Sequence, residues 1–440
     1  MLPQETLRYL VDFLTGSPGM SQYVGYTDDR SSGAYRVVIV PSGFFSEGHY
    51  GSEASEPRLP LPTVCGVPLL FGSDRVEREV GTLVVYADVI ASAYYMLSRY
   101  EETLHPEDRR DAHGRYTGRG SLAFRGGFIG RPIVDEYGRL LRGWLRECGI
   151  DVPEPAKRIA KVYLTHDVDS IARYRHLRGF AGGCLRSLSG REGAQAREVF
   201  ASLRDIHADP IYTFGFFREE DAKVPSAEKI YFIKAGSGKG HDYPQYRLDG
   251  KDFATLLRDI GQDGDTAIGL HASYEAGADP SLITKEKDTL AKAIGVEVRY
   301  NRYHFLRTLQ PADFRRLIES GITDDFTMAY PDVAGFRLGI CRAVRWIDPE
   351  SKRLTPLVLH PLTAMDCTLS DSRYMGLPQQ EAYGCVTRLI ESAKEYGGEV
   401  SLLWHNSTVV RCQSDSSFCH RQLYSDLINA LIEECQPKEY

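Results

Sequence analysis

No stretch of this 440-residue chain holds the roughly 18 uninterrupted apolar residues that a bilayer-crossing helix needs. The most apolar one, TLVVYADVIASAYYML, is broken by Asp88 and Ser92. No Cys-x-x-Cys pair occurs, and the nine cysteines (65, 148, 184, 341, 367, 385, 412, 419 and 435) are odd in number and scattered. This argues against a thiolate zinc site and a disulfide framework, and for reduced thiols. A basic surplus is missing too. With 53 Lys+Arg against 60 Asp+Glu the formal charge is −7, the wrong sign for a general nucleic-acid binder. The opening MLPQETLRYLVDFLTG lacks a basic n-region and spaces its apolar residues like a helix, so a cytoplasmic protein is expected. Repeats and low-complexity tracts are absent.

What is present is 42% hydrophobic residue, enough for real cores in two or three domains. The polar, proline-bearing segment 151–157 reads as a linker. It separates a mixed α/β region, residues 1–155, from residues 158–440. Upstream, 35–45 reads as a strand, 84–102 as an amphipathic helix, and Arg99, Glu101, Glu102, Asp111, His113 and Arg115 as a salt-bridge network. Downstream, apolar strands at 161–167, 229–236, 266–271, 296–304, 322–327, 355–362 and 399–405 alternate with helices such as 252–262, 279–295 and 310–321. Such alternation implies a parallel α/β sheet, and its length suits a closed (β/α) barrel.

Four of these strands turn abruptly polar at the end, which is where α/β sheets deliver catalytic side chains. Thr165-His166-Asp167-Val168-Asp169 puts two aspartates on one side of an extended chain. Like charges that close call for a cation or a proton, although a helix cap at Asp169-Ser170 would also account for them. The next strands end in His271, in Arg302 and His304 on one face, and in His405 after Leu403. An arginine beside two aspartates would hold one of them as an ionised base. By strand alternation His166 points away and packs.

This order of motifs resembles the polysaccharide deacetylase superfamily of metal-dependent carbohydrate esterases, over roughly residues 158–410. The resemblance implies a distorted (β/α) barrel, Asp167 as catalytic base, Asp169 and His271 as metal ligands, Arg302 as the arginine that steadies the base, and His405 as general acid. It also implies one divalent ion, zinc with cobalt or nickel as alternatives, and an acetylated glycan or lipid- or nucleotide-linked sugar as partner. Residues 1–155 look like the uncharacterised region that precedes divergent members. Three departures matter. Val168 separates the carboxylates, Glu275 stands where a second histidine belongs, and His304 replaces a proline. The third ligand is therefore His304, with Glu275 as the alternative. The arginine loop 335–339 is a candidate to replace Arg302 or grip substrate, and Asp366 either to cap its own loop or to orient His405. Tyr274, Tyr303 and Trp404 adjoin the motifs and offer rings for a sugar, with core packing preferred for Trp404. Seven arginines in 171–204 against Glu192 and Glu198 read by default as a solvated helix face, with guidance of a phosphate-bearing or lipid-linked glycan as the alternative. Hydrolysis of another amide, or carbohydrate binding without catalysis, are the competing functions.

Overall fold

The computed structural model describes residues 2–29, 34–188, 195–261, 264, 266–412 and 418–435. Two large sheets, beside a two-stranded one of Thr63–Val64 and Val67–Pro68, organise the described residues. The first has strand order Val24–Tyr26, Val37–Ile39, Thr82–Ala87, Gly72–Glu79, parallel except for the last pair. Here the expected helix over 84–102 is corrected. The β-branched run Thr82–Ala87 forms a strand, and the helix begins only at Val89, after Asp88 accepts the Ala91 N–H at 2.9 Å as its cap. It ends at Leu97, because Arg99 sits in the left-handed region at φ 59°.

The second sheet is large and mostly parallel. Its order is Val344–Ile347, Leu354–Pro361, Asp324–Met328, Tyr300–Tyr303, Thr266–Ala272, Glu228–Lys234, Lys161–Val168, Glu399–His405, Ala364–Met365. Only Val344–Ile347 runs antiparallel. The strands are apolar on both faces, as a sheet covered by helices must be. Outward-facing Val162, Leu164, Leu402 and Trp404 pack against Leu389 and Leu427 of the C-terminal helices. The opposite face carries Tyr163, Ile230, Phe232 and Phe326. On that face, rings from strands that are not neighbours meet. Tyr163 lies 5.1 Å from both Phe326 and His360. His360 in turn bonds Asp324 and Glu399, each at 3.0 Å. Leu354–Pro361 and Ala364–Met365 lie near opposite ends of the strand order, yet two residues apart in sequence.

A continuous apolar cluster joins the first sheet to the second, from Leu10 and Leu97 to Trp346 and Leu359. Charged groups reinforce the junction. Glu102 receives Arg99 Nε at 3.0 Å and Arg337 Nη2 at 2.8 Å, all three side chains being buried. The 335–339 loop thus spends its arginine on Glu102, and the expectation that it replaces Arg302 or grips substrate is corrected. Cys412 and Cys419 form a disulfide, Cα atoms 5.7 Å apart. The reduced-thiol expectation fails at this pair, because closing a loop of a few residues needs no framework of spaced cysteines. Among the described residues no helix is long and apolar enough to cross a membrane.

Candidate metal centre

Asp169 follows directly on strand Lys161–Val168 and reaches two imidazoles from two other strands. Its Oδ1 lies 3.3 Å from His271 Nε2 and 3.2 Å from His304 Nε2. Donors held about 2.0–2.1 Å from a tetrahedral zinc stand about 3.3 Å apart, and these two separations fit that spacing. Asp169 Oδ1 and His271 Nε2 are buried and have no hydrogen-bond partner. Asp169, His271 and His304 thus form a group able to hold a metal ion.

The tautomers support this. His271 Nδ1 lies 3.0 Å from the Arg302 carbonyl, which only accepts, so Nδ1 carries the proton. His304 Nδ1 donates to Asp242 Oδ1 at 2.7 Å. Each neutral ring then turns the lone pair of Nε2 toward the lone pairs of a carboxylate, a repulsive arrangement that a cation relieves. Without an ion, protons take its place. Burial opposes ionisation of both groups, but the mutual attraction wins: His304 is raised above its ordinary value and Asp169 is held well below the carboxylate range.

On one side of this trio lies Asp167, buried, with Oδ2 at 3.4 Å from His271 Nε2. Its Oδ1 accepts Arg302 Nη1 at 3.0 Å, and the same nitrogen bonds Thr165 Oγ1 at 2.8 Å. Arg302 is wholly buried; Nε donates to the Phe326 carbonyl and the guanidinium stacks 4.3 Å from the Phe232 ring. That ring lies across Gly269, where a Cβ would stand 2.5 Å from it. On the other side His405 presents Nε2 at 4.0 Å from Asp167 Oδ2 and 3.8 Å from Asp169 Oδ2. Asp366 holds it twice, Oδ1 accepting Nδ1 at 2.8 Å and Oδ2 accepting the backbone N–H at 2.9 Å. Burial disfavours the imidazolium, yet the Asp366 carboxylate lifts His405 well above its ordinary value.

Glu275 stands apart. It is exposed, bonds Ser237 Oγ at 3.1 Å, and is not one of the three converging groups. His166 is buried against Phe217 and pairs with Asp221 at 2.9 Å. Tyr303 and Trp404 are buried in the core, so neither offers a face to a ligand. Tyr274, His113, His241 and Phe305 form a rim of packed rings beside His304. Two supporting residues escaped the sequence reading. Asp242 lies in the one-turn segment Gly240–Asp242, and Lys234 fixes that turn by donating from Nζ to the Asp242 and Pro244 carbonyls at 2.9 and 3.2 Å. An irregular loop carries no hydrophobic period to mark it. The residues expected to form a salt-bridge network upstream do reach this rim: Arg115 bonds Asp111, the Phe305 carbonyl and Tyr374.

A family profile described as "Family of unknown function (DUF7033)" matches residues 5–149, upstream of the large sheet. No curated protein sequence matches the chain. A solved structure from Mycobacterium smegmatis, described as a "putative polysaccharide deacetylase", is similar over 64% of this chain and 86% of its own, at 16% identity and a TM-score of 0.37.

Proposed function

We propose that this protein is a metal-dependent hydrolase that removes an acetyl group from the nitrogen or oxygen of a sugar, in a glycan or a lipid- or nucleotide-linked precursor. The observation that carries the reading is the convergence of Asp169, His271 and His304 between Asp167–Arg302 and His405–Asp366. The acetylated sugar comes from the resemblance of the strand-end motifs. We take the large sheet to be a distorted (β/α) barrel, supported by its two flanks sharing one stretch of chain and by the His360 bridge, and residues 1–155 to be an accessory α/β domain on residues 158–440.

Asp169, His271 and His304 would hold a divalent ion, which when bound would supply Lewis acidity to a water and to the acetyl carbonyl. Two imidazoles and a carboxylate suit zinc, with cobalt or nickel as substitutes. Asp167 accepts the proton of the attacking water at Oδ2, while Arg302 occupies Oδ1 and orients the carboxylate. His405 delivers a proton from Nε2 to the departing amine or hydroxyl, and Asp366 keeps Nδ1 protonated and the ring aimed. Acetate and the free sugar group leave.

Acetate release from N-acetylglucosamine oligomers and O-acetylated sugars by protein loaded with zinc, cobalt or nickel tests the reading. Turnover that stops on chelation and returns with metal is expected. A protein that binds the ion but releases acetate from none of these substrates is not this hydrolase.

A further inference from the structure

Eight residues beyond Asp169 begins the first of two packed helices, Leu177–Leu188 and Gln195–Arg204. Their inner faces are full. A Cβ on Gly183 would stand 2.6 Å from Val199 Cγ2 and 3.0 Å from the Tyr174 ring, and Val199 and Tyr174 are both buried. The outer faces are apolar and uncovered: Leu177 is 87% exposed, Leu185 67%, Phe200 65%, Leu203 43% and Phe180 37%. Isolated exposed hydrophobics need no explanation. Here these five, with adjoining Tyr243, are six of the ten large exposed ones among the described residues. They also keep helical register. Leu177, Ala181 and Leu185 recur every fourth residue on one helix, and Phe200 and Leu203 fall three apart on the other, one stripe on each.

Arg173, Arg178, Arg197 and Arg204 are exposed around the stripes. Between 171 and 204 Glu198 is the single acidic residue among those described; Arg191 and Glu192 lie outside them, as does the Arg186 side chain. Arg175 is committed inward, to Asp252 at 2.8 Å. The patch borders the metal centre. Arg178 stacks 4.7 Å above the Tyr243 ring, His176 lies 3.2 Å from the Tyr243 hydroxyl, and Tyr243 follows Asp242, the residue that holds His304.

We propose that the outer face of this helix pair docks on an anionic phospholipid surface. Leu177, Leu185 and Phe200 enter the acyl boundary, and the four exposed arginines meet headgroup phosphates. A second copy of the chain fits poorly, since a two-fold contact would set arginine clusters against each other with one glutamate per copy to offset them. Docking does not depend on the hydrolase reading. That a lipid-linked sugar is the substrate brought to the mouth does rest on it.

Flotation of the full chain with phosphatidylcholine vesicles, with and without phosphatidylglycerol, tests the proposal. Anionic vesicles should carry at least about tenfold more protein, with the excess lost in high salt. Leu177→Glu combined with Phe200→Glu should lower the bound fraction about tenfold or more, leaving thermal melting and metal content unchanged. Arg178→Glu with Arg197→Glu should abolish the preference for anionic vesicles, and serves as an independent variant should the first fail to fold. Three results would overturn the proposal: no binding to either vesicle, binding that both variants retain, or patch-dependent self-association in light scattering without vesicle binding. Loss of acetate release with vesicle binding intact would remove the hydrolase reading alone.

Discussion

The Nδ1 atom of His304 donates to Oδ1 of Asp242 at 2.7 Å across 62 residues of sequence, and Asp242 Oδ1 also accepts the Tyr274 N–H at 2.8 Å. One carboxylate oxygen thereby fixes both the tautomer of an imidazole and the rim beside it. Replacing a group that orients a ligand typically weakens metal binding about 10–100-fold. Asp242→Asn is expected to do so while the protein stays folded, measured by competition with a chromophoric chelator. Unchanged affinity would leave Asp242 a loop-fixing residue only.

Asp167 and Asp169 sit two residues apart, and the proposed function gives them different roles. Asp167→Asn should keep the ion and lose acetate release by a factor of about 10²–10⁴, the usual worth of a positioned base. Asp169→Asn should lose the ion itself. Metal content and turnover measured on the same preparations distinguish the two, and an active Asp167→Asn protein would contradict the assignment.

The junction between the two sheets depends on a buried carboxylate. Burial works against the Glu102 charge, but Arg337 and Arg99 outweigh it and hold the group at about 2. Glu102→Gln leaves two buried guanidiniums unpaired, at a cost of about 3–5 kcal/mol. Chemical denaturation should register that loss. A shift within the error of the method would mean that the arginines find other acceptors.

His360 gives the fold a pH dependence. Burial opposes its charge, yet Asp324 and Glu399 lift it to about 9. A group raised above its unfolded value of about 6.5 stabilises fully below that pH and ceases to do so as the pH rises through about 9. His360→Gln should therefore cost on the order of 3 kcal/mol near pH 6 and little near pH 10, measured with chelator present. Equal penalties at both pH values would show that His360 is neutral in the folded protein.

The strands of the large sheet were legible because each is a short apolar run that stops at polar residues. The seven expected positions coincide with observed strands to within a few residues, while Val344–Ile347 and Ala364–Met365 were too short or too mixed to stand out. Residues 84–102 misled because TLVVYADVIASAYYML is apolar on all sides, so no period separates its strand from its helix. Of the residues around the candidate site, those singled out in the sequence sit where apolar strands turn polar, whereas Asp242 lies in a turn 62 residues from its partner His304, and Lys234, at the end of strand Glu228–Lys234, stood inside a run read as apolar. Arg337 shows the same limit in reverse: an arginine between two glycines looks free until Glu102 arrives from another sheet.

The most direct measurement is a cobalt(II) titration of metal-free protein, followed by its visible absorption. One ion per chain is predicted for the native protein and for Glu275→Ala, with affinity reduced at least about 100-fold in His271→Ala and His304→Ala. Native-like binding by His271→Ala and His304→Ala, or loss of binding in Glu275→Ala alone, would contradict a centre built from Asp169, His271 and His304.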